Sequence, residues 1–176
     1  SSLVGSLQAN SVDMVISGMT ATEERKQIVD FSDVYCTSSV GCVTKADSDI
    51  NSFEDLQNQI VCCSQGTNYE MMIEDIPGTT LKTYQGQAAV GTAVAEATDG
   101  VAAGLTSING AKKLATTMLD ADGNPMLKYF ALEGARADEY CMAFPKGSEL
   151  TAIFNEGIQA LKDSGKLEEL IQYWLY

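Results

Sequence analysis

Among 176 residues there are only two arginines, Arg25 and Arg136, and no histidine. An arginine offers a planar, permanently charged fork of N–H donors that matches a carboxylate or phosphate, so each of the two carries more weight than usual as an anion ligand. Arg25 lies just after Ser17-Gly18-Met19-Thr20, which reads as a strand-to-helix turn. Free backbone amides and the positive end of a helix favour an anion at such a turn. Ser17, Gly18, Thr20 and Arg25 therefore have the composition of a carboxylate clamp. The same spacing also suits Arg25 as a solvated partner of Glu23, Glu24 or Asp30, and the sequence leaves both readings open. A second turn of the same kind, Gln65-Gly66-Thr67, follows the predicted strand 60–64. Gly66 permits close backbone approach to a ligand. Thr67 reads as the N-cap of the next helix with Glu70 at the capping-box position, and ordinary capping accounts for this turn equally well.

The missing histidine removes Ser-His-Asp and Cys-His catalysis and the usual nitrogen ligand of zinc sites. Neither a P-loop nor a dinucleotide-binding glycine fingerprint occurs. Eleven Lys and Arg against 24 Asp and Glu give a net charge of −13, the wrong sign for a partner coated in phosphate, so nucleic acid and anionic membrane are not expected. Glu54-Asp55, Glu74-Asp75 and Glu168-Glu169 read as solvated helix faces. The five cysteines form no CxxC pair and read as reduced, buried, small hydrophobes. Cys42 and Cys141 fall on two predicted crossover strands, where a disulfide is the alternative. Asp120 to Pro125 opens like a calcium loop, but Pro125 and Ala131 stand where that loop needs Gly and Glu. No cofactor or metal is expected.

A patterned scaffold must position these groups. Leu3, Val4 and Leu7 recur at helical spacing, and 12–16 reads as a buried strand. Thr20 with Glu23 forms a capping-box signature for a helix to Val29. Residues 34–44 read as one long strand, and Ser52 caps a helix to about Asn58. Strands are predicted at 60–64, 80–84 and 100–105, alternating with helices at 68–74, 87–97 and 107–118, which argues a mostly parallel sheet flanked by helices. Strands follow at 127–132 and 140–144, then a helical tail from Glu149 with a break near Ser164-Gly165.

Residues 12–26 (VDMVISGMTATEERK) and 29–35 (VDFSDVY) together resemble the signature of the polar amino-acid solute-binding proteins of ABC importers. The resemblance continues in order through Phe53-Glu54-Asp55-Leu56, Gln65-Gly66-Thr67, Asp99-Gly100-Val101-Ala102-Ala103 and the terminal Tyr173-Trp174. It implies a two-lobed periplasmic binding protein-like II fold: three-layer αβα lobes joined by two hinge strands. Lobe one would comprise 1–35 and 140–176, lobe two 36–139, with crossovers near 34–44 and 136–145. Members of the family carry a further strand, helix and strand ahead of the helix that 2–9 resembles. Lobe one is therefore expected to be incomplete at its N-terminus, with an exposed sheet edge covered by self-association or a separate fragment.

The same resemblance implies a function and roles. The chain would be the extracytoplasmic solute-binding component of an ABC importer, periplasmic or a cell-surface lipoprotein, without catalysis, delivering a small carboxylate-bearing ligand such as an amino acid to a membrane permease. Gly18 and Thr20 would contact the ligand, Arg25 would grip its α-carboxylate, and Thr67 would hold the same group from lobe two. Gly104 stands where the family usually has an acid that neutralises the ligand's amino group, which points to a ligand lacking that amine or to another acid in its place. The alternatives on the same fold are a ligand-sensing domain of a signalling protein and a dehydratase-like enzyme.

Overall fold

The computed structural model describes residues 2–175, and they divide into two units. Unit 1 is Ser1–Ser38 with Asp138–Tyr176, and unit 2 is Ser39–Ala137. In chain order, unit 1 begins with α1 (Ser2–Gln8), α2 (Glu23–Lys26), β1 (Val29–Phe31) and β2 (Cys36–Ser38). Unit 2 follows with β3 (Val40–Lys45), a 3-10 turn (Glu54–Leu56), β4 (Ile60–Ser64), α3 (Tyr69–Glu74), β5 (Thr80–Tyr84), α4 (Gln87–Ala95), β6 (Val101–Ser107), α5 (Ile108–Thr117) and β7 (Leu127–Ala131). Unit 1 resumes with β8 (Asp138–Tyr140), β9 (Ala143–Pro145), α6 (Leu150–Asp163) and α7 (Lys166–Leu175).

Unit 2 is a five-stranded sheet in the order β5-β4-β6-β3-β7 with helices on both faces. Alternation along its strands builds two apolar layers. Val40, Cys42, Val61, Cys63 and Leu105 pack with Leu56 and with Tyr69 and Ile73 of α3. Val43 and Cys62 pack on the other face with Val90 and Val94 of α4 and Ala111 and Leu114 of α5. Cys62 and Cys63 thus serve opposite layers, and all five cysteines are free and buried, with no bridge from Cys42 to Cys141. The sheet is mixed rather than mostly parallel: β4 runs parallel to β5 and β6, whereas β3 is antiparallel to both β6 and β7. Only the strands separated by a helical crossover are parallel.

Register shifts between β4 and β6 at Ile60/Val61, where Ile60 faces Val101 but Val61 faces Ala103. This extra residue in β6 flips the side-chain alternation beyond it. Val101 consequently lies in the α4–α5 layer, Ala102 and Ala103 in the α3 layer, and Gly104 back among Val43, Val90 and Val94.

Unit 1 is built from strands of three residues whose partners lie far along the chain. β1 pairs with β9 (Val29↔Pro145) and β2 with β8 (Cys36↔Tyr140), both antiparallel. Val4, Leu7, Val15, Met19, Val29 and Ala143 form its core, and Phe144 of β9 packs on Phe154 of α6 at 5.4 Å between ring centroids. A Lys146–Asp30 ion pair at 2.7 Å and a Gly147 N–H donated to Asp30 at 2.7 Å fasten the β1–β9 end. Those bonds stabilise the ionised carboxylate and hold the Asp30 pKa below its usual range.

Several predicted elements are corrected here. Residues 12–16 do not form a strand, because Val15 alone bridges Ala143 while Val12 and Ile16 are 39% and 59% exposed. The helix predicted from Thr20 to Val29 is one turn: Thr20 is held in a bridge to Tyr140, Thr22 supplies the cap, and Val29 is already a strand residue. The single strand expected over 34–44 breaks at Ser39 because β2 and β3 belong to different sheets. Residues 140–144 divide likewise, since Cys141 N–H turns to Met19 O and Met142 N–H to Ser32 Oγ. The helix expected from Ser52 is only the 3-10 turn, although Ser52 does accept from Asp55 N–H at 3.3 Å.

Candidate functional site

The first set of predicted residues converges within unit 1. Met19 is anchored in the core, and its carbonyl accepts from Cys141 N–H at 2.9 Å. Thr20 pairs with Tyr140, so Met19 and Thr20 are pinned to Cys141 and Tyr140 at the end of β8. This leaves Ser17 and Gly18 as an exposed turn, tightened by a Met19 N–H donated to Ser17 O at 2.7 Å. Gly18 rests over the Tyr140 ring, where an added Cβ would meet the ring at 3.4 Å.

Arg25 completes the arrangement. Its Nη1 donates to Thr20 O at 2.9 Å, which fixes the guanidinium beside the turn. The side chain is half-buried, and burial lowers its pKa while Glu24 raises it. Arginine stays cationic under such a perturbation, so the site presents a partly desolvated positive charge. Thr20 Oγ1 is buried and has no hydrogen-bond partner among the described residues. An unsatisfied buried hydroxyl costs about 1–3 kcal/mol, and a hydroxyl donor next to a guanidinium is suited to an oxyanion. Of the carboxylates considered as solvated partners of Arg25, Asp30 is paired with Lys146 and Glu23 lies 2.7 Å from Lys26, while Glu24 acts on Arg25 through its charge.

Sequence reasoning passed over two residues of this site, Tyr35 and Tyr140. The Tyr35 hydroxyl donates to Ser17 O at 3.0 Å and its N–H to Tyr140 O at 3.0 Å. Burial is the largest cause raising the Tyr35 pKa, reinforced by Cys36, Tyr140 and Cys141. The only signal in the sequence was Tyr35's place at the end of the 29–35 segment.

Unit 2 carries the second predicted turn, at the carboxyl end of β4, and its chemistry differs from the expectation. Gly66 adopts φ +75°, the left-handed region that favours glycine. Its N–H is donated to Glu70 Oε1 at 2.6 Å, so the chain's own carboxylate occupies that amide. Thr67 does not cap α3, whose N-cap is Asn68, and its hydroxyl donates to Ser64 O at 2.7 Å. The Gly66 amide and the Thr67 hydroxyl are thereby engaged within unit 2.

Gly104 lies on the α4–α5 side of β6. A Cβ there would lie 2.8 Å from Val90 Cγ1 and 3.2 Å from Val43 and Val94, deep in the apolar layer. Reactive thiols are unfavoured: burial pushes Cys62 up to about 12 and Cys63 to about 11, far from the thiolate a nucleophile needs. No group of His, Cys, Asp or Glu among the described residues is arranged to hold a metal ion, and no helix among them is long and apolar enough to cross a membrane.

Comparison with known proteins gives this arrangement a context. The chain is 35% identical over 98% of its length to the arginine-binding extracellular protein ArtP of Bacillus subtilis, covering 67% of that protein. It is 30% identical over 96% of its length to the glutamine-binding protein GlnH of the same organism's ABC transporter, covering 60% of it. Among solved structures, the arginine-, lysine-, histidine-binding protein ArtJ of Geobacillus stearothermophilus superposes with a TM-score of 0.82 at 29% identity, over 98% of this chain and 74% of that one. The chain thus spans about two thirds of the curated relatives it matches, and its fold class is the two-lobed α/β fold of periplasmic binding proteins. The profile of one family matches residues 1–176 throughout, and the chain belongs to the bacterial extracellular solute-binding proteins, family 3.

Proposed function

We propose that this chain is the solute-binding component of an ABC importer, that it works outside the cytoplasm in the periplasm or as a cell-surface lipoprotein, and that it holds a small carboxylate-bearing ligand, an amino acid or an analogue, for a membrane permease. The observation that carries the reading is the half-buried Arg25 guanidinium, fixed on Thr20 O at 2.9 Å beside the unsatisfied Thr20 hydroxyl. A ligand carboxylate accepts from Arg25, from Thr20 Oγ and from the exposed Gly18 amide, with Ser17 shaping the turn. Gly66 and Thr67 stay in the proposed ligand set, with Glu70 and Ser64 accepting from the Gly66 amide and the Thr67 hydroxyl in the unliganded chain. The names of ArtP and GlnH support an amino acid as the ligand. Binding occurs without catalysis, in keeping with the missing histidine and the suppressed thiolates. Self-association through unit 1 belongs to the same proposal, since Tyr173 and Trp174 of α7 are 77% and 74% exposed.

A thermal-shift screen against the twenty amino acids, small dicarboxylates and polyamines tests it, since a ligand of the folded state alone raises the midpoint. At least one carboxylate-bearing compound is expected to raise it, whereas polyamines leave it unchanged. A shift produced only by compounds without a carboxylate contradicts the reading. Light scattering on the same samples is expected to show mass rising with protein concentration, and a monomer throughout would remove the self-association.

A further inference from the structure

We propose that Tyr35 is the positioning residue of the carboxylate turn: its hydroxyl polarises the Ser17–Gly18 peptide so that the Gly18 amide becomes a strong anion donor, and it ties that peptide to the β2–β8 strand pair. The inference rests on the carboxylate reading given above and assigns to Tyr35 a part that contact with the ligand alone does not reveal.

The Ser17 carbonyl and the Gly18 N–H belong to one peptide group. Tyr35 Oη donates to Ser17 O at 3.0 Å, while the Gly18 N–H makes no hydrogen bond among the described residues. Hydrogen bonds in series polarise one another. Donation to the carbonyl draws electron density toward oxygen and leaves the amide proton more positive, which strengthens its bond to an oxyanion. The chain of donors thus runs from the Tyr35 phenol through the Ser17–Gly18 peptide to the bound carboxylate.

The phenol is itself held in place. Tyr35 immediately precedes β2, and its N–H bonds Tyr140 O at 3.0 Å where β8 ends. Tyr140 returns to the turn twice, through its ring under Gly18 and its backbone bridge to Thr20. Thr20 O in turn receives Arg25 Nη1. Each carboxylate donor therefore has a route to the β2–β8 pair, the two strands at which unit 1 meets its boundaries at Ser38 and Asp138.

The probe is acetate, a carboxylate with nothing else attached, titrated into the full chain and followed at the Gly18 amide by 1H–15N NMR. In the unaltered protein the Gly18 proton is expected to move downfield to saturation. In Tyr35→Phe it starts upfield and acetate binds about tenfold more weakly, the loss of one hydrogen bond in a polarised series. Unchanged affinity in Tyr35→Phe overturns the inference, as does weaker binding with an unshifted Gly18 resonance, which marks a merely structural role. Should Tyr35→Phe not fold, 3-fluorotyrosine at position 35, a stronger donor of nearly the same shape, must tighten binding, and no change overturns the inference. Arg25→Ala separates the two levels. Acetate binding that survives it defeats the carboxylate reading, whereas binding that needs Arg25 but ignores Tyr35→Phe defeats the role of Tyr35 alone.

Discussion

Arg25→Ala is expected to weaken binding of the amino acid or carboxylate found in the screen by at least about 100-fold, and to leave the unliganded melting point nearly unchanged. The first half follows from the strength of charge-assisted bonds: each hydrogen bond to a charged group contributes about 1.5–3 kcal/mol, and a guanidinium makes two to one carboxylate. Losing both passes the tenfold-per-1.4-kcal/mol scale twice over. The second half follows from the burial that lowers the Arg25 pKa, because a partly desolvated charge is held at a cost that alanine relieves. The lost Nη1 bond to Thr20 O offsets that relief by about 1 kcal/mol. Arg25→Lys should recover only part of the affinity, since an ammonium keeps the charge but lacks the fork. Calorimetric titration with parallel thermal melts measures both halves. A variant that melts far lower yet binds as before would make Arg25 a structural residue.

Gly104→Asp is expected to destabilise unit 2 by several kcal/mol instead of creating an amine site. The new side chain would enter a layer of Val43, Val90 and Val94 with Val90 Cγ1 at 2.8 Å from its Cβ. Overpacking alone costs about 1–3 kcal/mol, which Gly104→Ala isolates. The carboxylate adds its desolvation, or stays protonated with a raised pKa. A raised folded-state pKa gives a definite sign: below the ordinary aspartate range the two states bind the same proton, and as pH rises through that range the unfolded chain ionises while the folded one resists. The stability gap to Gly104→Ala should therefore widen from pH 3 to pH 7 in urea melts. A variant as stable as the parent at pH 7, with tighter binding of an amine-bearing ligand, would show that position 104 faces the ligand.

Legibility in the sequence follows the range of the contacts. Unit 2 could be read almost element by element because its strands and helices alternate locally, and β4 and β5 fall on the residues that the hydrophobic pattern marks. Its bulge at Ile60/Val61 could not be read, because nothing in 99–104 marks an extra residue. The role expected at position 104 came from the family resemblance, which carries no information about which face of β6 that residue takes after the bulge. Unit 1 was harder for a physical reason: Val29 pairs with Pro145 and Cys36 with Tyr140, so three-residue strands depend on partners over a hundred residues away. Local propensity accordingly extended α2 backward to Thr20, whose backbone is claimed by Tyr140. Arg25 and its turn were legible because arginine is scarce in the chain and the turn chemistry is local. Tyr35 and Tyr140 were not, because they enter the site only through long-range pairing.

The roles proposed for Arg25, Thr20 and Tyr35 all depend on recognition of a carboxylate. Calorimetric titration with the amino acid that gives the largest thermal shift, alongside the amine left when its carboxylate is removed, tests it most directly. Saturable binding of the acid is expected, with a loss of at least about 100-fold in affinity for the amine, the same loss expected of Arg25→Ala. Equal affinity for the two compounds would contradict it.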